Sequence, residues 1–373
     1  MSQLRILNII NSLEAVVGAT VGIFVPIYLL QLGYSLNQVF VYYLLHAIGI
    51  AFFFFVSARF CSRFGIRNAL LVRLLFVGLF YLLLLSLDTY KNLFYLVPLV
   101  TSISAAFLYY PMHFIFTENT EHEEIGRSMA SLEAWPQIVG VAMPVVSGVI
   151  AVLFGMKNLF VLALLAYLLS IFFYWRIKET KISVDLSFDK VGLFFKTYRR
   201  FIPISFIENW RGDLQGVVWP IFFYYTISQF GGIGEKVGVV SVGSINTIIA
   251  LLSIFLTYHL GRLSDKFDKV SLMKVSFAIA AVFWLVAFFV GNVSALYVFS
   301  IIFGLQGLMI GLPFQSYTYS LAKKDFKKEE FLVYCEIPQV MGRVVLYAMI
   351  LILPQIKLSF LFSSILFLVF LFV

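Results

Sequence analysis

The chain has 373 residues, 61% of them hydrophobic and only 12% charged, where a soluble domain carries about 25% charge. Its mean hydropathy is +0.97, and 27 Lys and Arg with 19 Asp and Glu are too few to give a fold of this length a polar shell. Disorder, a disulfide scaffold, a nucleic-acid module and a soluble enzyme are excluded, and the chain reads as an all-α integral membrane protein.

A spanning helix needs about 20 mostly apolar residues. Polar punctuation divides the chain into twelve such segments: 6–31, 38–58, 69–87, 93–116, 128–154, 158–176, 201–228, 237–260, 271–290, 294–321, 331–353 and 356–373. The first is too long for a signal peptide and lacks a small-residue cleavage site. The last stops at Val373 with no tail, so the chain is expected to be truncated there. Between the sixth and seventh lies a polar stretch, 176–200, with seven Lys or Arg. The expected organisation is a six-helix bundle over 1–176, a linker over 177–200 and a second six-helix bundle over 201–373.

The net charge of +8 reports topology rather than a polyanionic partner, because Lys and Arg are retained on cytoplasmic loops. With the N-terminus inside, 21 of the 27 basic residues fall on the cytoplasmic side, Arg73 among them. Lys91, Lys157, Lys236 and Lys357 fall outside, and Arg211 and Arg343 fall within spans. This asymmetry places both termini in the cytoplasm, and the expected location is the cell's inner membrane. Cys61 and Cys335 are far apart in sequence and read as free thiols.

In chain order, helix 1 carries Glu14 nine residues beyond Arg5, or about 13 Å along a helix, and then the run Phe24-Val25-Pro26-Ile27-Tyr28. Helix 7 repeats this as Glu208 followed by Val218-Trp219-Pro220-Ile221-Phe222, at an offset of 194. Trp135-Pro136-Gln137-Ile138-Val139-Gly140 in helix 5 returns as Ile337-Pro338-Gln339-Val340-Met341-Gly342 in helix 11, at an offset of 202. Pro111 and Pro313 keep that offset in helices 4 and 10. Three matches in chain order point to an internal duplication, a common construction in secondary transporters.

The loop after helix 8 reads Gly261-Arg262-Leu263-Ser264-Asp265-Lys266-Phe267-Asp268-Lys269. It resembles the loop signature of the major facilitator superfamily, Gly-x-Leu-Ala-Asp-Arg-x-Gly-Arg-Arg. Gly261, Leu263, Asp265, Lys266 and Lys269 fit it, and Asp268 stands where the signature has glycine. The equivalent loop after helix 2 keeps Arg63, Gly65 and Arg67 but has Ser62 in place of the aspartate. The resemblance implies two pseudo-symmetric six-helix bundles with helices 1, 4, 7 and 10 around a central cavity. On physical grounds alone, an aspartate just past a helix end can dock on the positive N-terminus of a neighbouring helix. Such a contact weights one state of a two-state rocker; the alternative reading of the loop is topogenic charge.

Charged side chains near the bilayer centre cost about 2.5–3.5 kcal/mol or more each on insertion scales. Glu14, Glu133, Glu208, Arg211, Asp213, Glu336 and Arg343 therefore need a reason. Glu208 and Arg211, three apart on one helix face, can neutralise each other, whereas Glu14 has no partner in its own helix. Glu14 and Glu208 either face the cavity, where reversible protonation would couple transport to protons, or pair with Arg211 or Arg343 to hold helices together. Glu133 and Glu336 begin their helices near the cytoplasmic face. Arg343 either binds an anion or serves as the internal counter-charge. Of the embedded histidines, His46, His113 and His259, the best proton-carrier candidate is His113, two residues after Pro111. None has metal-ligand spacing, so no metal and no cofactor are expected.

Pro136, Gly140, Pro144 and Gly148 in helix 5 suit close helix packing. The run from Gly140 to Gly148 also resembles, in part, the Gly-Pro-x-x-Gly-Gly signature of proton-coupled drug antiporters, with Met143 and Ser147 where that has glycine. With no Walker loop and no nucleophile–base pair, an enzyme or ATP-driven pump is not expected.

The expected function is secondary active transport of a small organic molecule by alternating access, proton-coupled and outward, by a monomer whose partners are substrate, protons and the lipid bilayer, with no nucleic acid. The alternatives are proton-coupled uptake of a sugar, peptide or organic acid, a lipid flippase, and a receptor that kept the fold without transport. Replacing Asp265 by Asn should leave the protein level nearly unchanged while cutting flux strongly in proteoliposomes; flux equal to wild type at equal protein level would remove the gating role.

Overall fold

The structure is a computed structural model that describes residues 2–121, 125–230, 235–266, 268–322 and 326–371. It leaves out the side chains of 139, 188, 229–230, 235–237, 255–266, 303–305 and 308. The described residues are almost wholly helical and fall into twelve helical rods, numbered here helices 1 to 12. Helix 1 covers Gln3–Gln31, helix 2 Leu36–Phe64, helix 3 Ile66–Ser86, helix 4 Lys91–Asn119, helix 5 Ile125–Phe154 and helix 6 Met156–Tyr174. Helix 7 is built from Phe201–Asp213, Leu214–Val218 and Trp219–Phe230. Helices 8, 9 and 10 are Glu235–Lys266, Lys269–Phe289 and Val293–Leu321. Helix 11 covers Lys328–Ile352 and helix 12 Lys357–Phe370. Helices 1–6, 9 and 11 are long and apolar enough to cross a membrane, and apolar segments of 10–17 residues lie in helices 8, 10 and 12. The apolar run of helix 7 is interrupted by Glu208, Arg211 and Asp213.

Helices 2 and 8 run on past their apolar windows, to Phe64 and Lys266. Hydropathy marks how much of a helix lipid can cover, not where its hydrogen-bond ladder ends. Arg63, expected in a loop, therefore lies in the last turn of helix 2, and Gly261, Asp265 and Lys266 lie on the extension of helix 8. The side chains of Gly261, Asp265 and Lys266 are outside those described. Gly65 makes the turn into helix 3 at φ +94, a conformation that needs a residue without Cβ. Asp268 caps helix 9: its carboxylate accepts from the Ser271 hydroxyl at 2.7 Å and the Ser271 amide at 2.8 Å, which holds it below its ordinary pKa.

One expectation is corrected. Arg73, counted with the cytoplasmic charges, lies inside helix 3 with its side chain 3% exposed, which lowers the basic count at that end by one. Within the 177–200 segment, Phe188–Thr197 is helical. Phe194 of that helix packs against Phe331 and Tyr334 at the start of helix 11, with ring centroids 5.7 and 6.0 Å apart. Lys190 binds Glu330 at 2.8 Å and Asp185 at 2.9 Å, and these hydrogen bonds hold the ammonium above its ordinary pKa.

The repeat in sequence has a structural echo. Helix 1 widens into a π turn at Gly18–Gly22 and helix 7 does so at Leu214–Val218, in both cases just before the repeated proline. Such single π turns re-aim the side chains around them. Gly140 and Gly342, also repeated, sit where helix 5 meets helix 1 and where helix 11 meets helix 7. A Cβ on Gly342 would lie 2.1 Å from the Phe206 carbonyl oxygen and 3.2 Å from the Trp210 amide nitrogen, whereas one on Gly140 would stand 3.7 Å from the Ala15 carbonyl.

Gly342→Ala should therefore destabilise by about 1–3 kcal/mol, the range for overpacking against groups that cannot move aside, while Gly140→Ala should be nearly neutral. Thermal unfolding of the two variants in detergent checks this; equal midpoints would show that the helix 7–helix 11 approach is not tight.

Candidate functional site

A cavity of about 500 Å³ lies between the two sets of six helices, lined from helices 1, 2, 4, 5, 7, 10 and 11. Of the charged residues singled out on sequence, Glu133, Glu208, Asp213, Glu336 and Arg343 reach its wall, as does His113. Glu14 and Arg211 are not among its lining residues.

Glu14 is held elsewhere. Arg73 reaches across from helix 3 and binds it through both guanidinium nitrogens, Nη2 to Oε2 at 2.7 Å and Nη1 to Oε1 at shorter range. Tyr174 Oη donates to Glu14 Oε1 at 3.0 Å. Tyr167 hydrogen-bonds both Glu14 and Arg73, its ring centroid 4.8 Å from the guanidinium carbon. Helices 1, 3 and 6 are thus tied around one bidentate pair, the geometry in which an Arg–carboxylate contact is strongest. The cation of Glu14 thus comes from another helix, and it is Arg73 rather than Arg211 or Arg343. Arg73 was legible: it stands in Leu70-Leu71-Val72-Arg73-Leu74-Leu75-Phe76, apolar on both sides.

In helix 7 the expected pair forms. Arg211 Nε donates to Glu208 Oε2 at 2.7 Å and Nη2 to Oε1 at 2.6 Å, while Nη1 binds Gln215. Glu208 faces the central cavity and Arg211 a second one of about 290 Å³ between helices 7, 8 and 10, with Gly212 lining both. Where helices 7 and 11 meet, Arg343 Nη2 donates to Asn209 Oδ1 at 2.7 Å. Its Nε lies 3.8 Å from Asp213 and its Nη1 3.9 Å from Glu336, so one guanidinium serves two carboxylates. Tyr347 Oη donates to Asp213 at 2.8 Å. Glu133 interacts with Gln315 of helix 10, and among the described residues no cation lies within 4.0 Å of it. His113 Nδ1 hydrogen-bonds Tyr319 Oη, joining helices 4 and 10. His46 Nδ1 is 3.5 Å from the Pro98 carbonyl, and the side chain of His259 is outside those described. Among the described residues no group of three or more His, Cys, Asp or Glu could hold a metal ion.

Contacts between the two sets of helices exist at both ends of the cavity. At the end rich in Lys and Arg, called here the basic end, Lys328 of helix 11 pairs with Glu118 of helix 4. Tyr110 Oη there donates to the Glu329 carbonyl at 3.3 Å. At the other end Tyr43 of helix 2 stacks on Tyr347 of helix 11, centroids 5.8 Å apart. The helix 5 run works in packing: a Cβ on Gly148 would lie 3.3 Å from the Val239 carbonyl of helix 8, and one on Gly243 of helix 8 would lie 2.4 Å from the Pro144 carbonyl. Pro136 lies within the first part of helix 5.

The two loop copies differ. In the first, Glu179 of the 177–200 segment occupies the N-terminus of helix 3, accepting from the Arg67 amide at 3.2 Å and facing Arg67 Nε at 3.3 Å. A Cβ on Gly65 would fall 1.9 Å from Glu179 Oε1. An acid thus reaches this loop from the linker although Ser62 replaces the local aspartate, which no reading of the loop alone would reveal. Arg63 lies over the Phe64 ring at 5.3 Å. Lys269 opens helix 9.

A bundle of twelve helical rods around a charged central cavity, built from two sets of six with repeated π turns and prolines, is the architecture of a membrane transporter. The chain belongs to the Major Facilitator Superfamily, whose family model matches residues 7–329. No curated protein matches it in sequence. Among solved structures, it is similar to a bacterial homologue of the iron transporter ferroportin in its outward-facing state, at 15% identity over 99% of each chain with a TM-score of 0.69. It is also similar to the human organic anion transporter MFSD10, at 13% identity over 99% of this chain and 98% of that one with a TM-score of 0.72. The nucleoside transporter NupG gives 11% identity over 100% and 98% with a TM-score of 0.71. At these identities the likeness is one of fold.

Arg73→Leu strands a buried carboxylate and should cost about 3–5 kcal/mol, the range for breaking a buried pair from one side. The double replacement Glu14→Leu with Arg73→Leu should recover much of that loss. Unfolding midpoints of the two single variants and the double variant test it; strict additivity would show that the two groups do not interact.

Proposed function

We propose that the protein is a secondary active transporter that moves a small organic molecule by alternating access, coupled to protons and directed outward, as a monomer in the cell's inner membrane. The observation that carries this reading is the central cavity, which draws its charged wall from both sets of helices. Rocking of 1–176 against 201–373, with 177–200 as the strap between them, would expose that wall to one side and then the other. The basic end is assigned to the cytoplasm, together with both termini, by the distribution of Lys and Arg. The tightly packed proline–glycine run of helix 5 against helix 8 supports the outward direction through its partial likeness to the antiporter signature.

Glu133 takes the coupling role that the sequence offered to Glu14. It lines the cavity, interacts with the uncharged Gln315, and has no described cation within 4.0 Å, so a proton can serve as its counter-charge in one half of the cycle. Glu14, locked to Arg73, is a positioning residue for helix 1. Glu133→Gln should abolish flux driven by a pH gradient across proteoliposomes while sparing counterflow exchange, since exchange needs no net proton movement. Gradient-driven flux undiminished in Glu133→Gln would hand the role to Glu336 or Asp213; the absence of counterflow in the wild-type protein across a broad panel of solutes would sink the transport reading itself.

A further inference from the structure

We infer that the cavity selects a protonated organic amine with an apolar body, an assignment that rests on the reading of this cavity as the transport site. Its wall carries four carboxylates, Glu133, Glu208, Asp213 and Glu336, and one guanidinium, Arg343. Glu208 is matched by its own bidentate Arg211. Arg343 is shared between Asp213 and Glu336 at distances longer than a direct hydrogen bond. With Arg343 set against one of those two carboxylates, the other and Glu133 remain without a matching cation among the described residues. A wall with this surplus of negative charge, in a low-dielectric surrounding, attracts cations and repels anions.

Unmet hydrogen-bonding capacity points the same way. The Glu336 side chain is only 8% exposed, lines the cavity, and receives no hydrogen bond from the described residues. Gln315, beside Glu133 on the wall, has its Oε1 buried without a donor. Gln315 Oε1 is a buried acceptor left unmet, which is costly, and the Glu336 carboxylate opens on the cavity with no donor among the described residues. A primary or secondary ammonium brings the charge and two or three N–H donors together. Between the acids the wall is aromatic, with Tyr43, Phe54, Tyr109, Phe314 and Tyr319. Ring faces complement an ammonium through their quadrupole, and their area accommodates an apolar body. A bare divalent metal ion is the poorer fit, because no described set of three ligand-type side chains converges to coordinate it. An organic anion would meet Arg343 already flanked by two carboxylates.

Three molecules of matched shape test the assignment on purified protein in detergent: 4-phenylbutylamine, 4-phenylbutanol and 4-phenylbutyrate. The amine should raise the unfolding midpoint and bind by titration calorimetry at least about tenfold more tightly than the alcohol, with no measurable binding of the carboxylate. Glu336→Gln should weaken the amine about tenfold or more and leave the alcohol unchanged. The ligand-free unfolding midpoint and the alcohol's binding report whether that variant is folded; where it is not, the ranking of the three ligands on the wild-type protein decides the assignment. Equal binding of amine and alcohol, tighter binding of the carboxylate, or no binding of the amine at millimolar concentration would each overturn the assignment. Amine binding without counterflow in proteoliposomes would keep the ligand class and remove the transport reading; counterflow of the carboxylate but not the amine would do the reverse.

Discussion

The interior of this protein is organised by the cost of keeping charge away from water. Desolvating an ion costs several kcal/mol even after relaxation, so each embedded charge is either matched by a partner or left at a wall where solvent or a ligand can reach it. Glu14 is matched by Arg73, closed in further by Tyr167 and Tyr174. Glu208 is matched by Arg211. Glu133, Asp213, Glu336 and Arg343 are turned to the central cavity beside Glu208. The division separates charges neutralised by a bidentate partner from charges that remain available.

The duplication makes that division easier to see. Glu14 and Glu208 occupy equivalent places, each twelve residues before the repeated proline and each shortly before a π turn. One takes its cation from a different helix and disappears into the packing of helices 1, 3 and 6. The other takes its cation from the next turn of its own helix and stays at the cavity. The two repeated segments thus differ in where the arginine comes from: helix 3 in the first half, helix 7 itself in the second.

The helical class, the positions of the segments and the family were legible because each depends on local composition: apolar stretches of bilayer length, repeated prolines and a loop motif. The Glu208–Arg211 pair was legible for the same reason, being three residues apart. Helix ends were not, since helices 2 and 8 continue past their apolar windows. The pairing of Glu14 with Arg73 was not either, because the two are 59 positions apart and no periodicity links them. Glu179 at the start of helix 3 lies 112 positions from Arg67. The helix at Phe188–Thr197 was hidden by its charge: its stability comes from Phe194 and its neighbours resting on helix 11, a contact that only the assembled bundle provides. Whether a charged side chain faces a cavity or another helix is likewise a property of the assembly.

The ties that cross the basic end differ in kind from those inside. Lys328–Glu118, Lys190–Glu330 and Arg67–Glu179 each have at least one partner more than a quarter exposed, within reach of dissolved ions. The Glu14–Arg73 and Glu208–Arg211 pairs, with arginine side chains only 3% and 7% exposed, are not. Mobile ions screen the first group over a Debye length of about 8 Å at physiological strength and about 3 Å at 1 M, and leave the second almost untouched. Ionic strength on that side thus acts as a dial on how firmly the basic end is fastened, without loosening the bundles themselves.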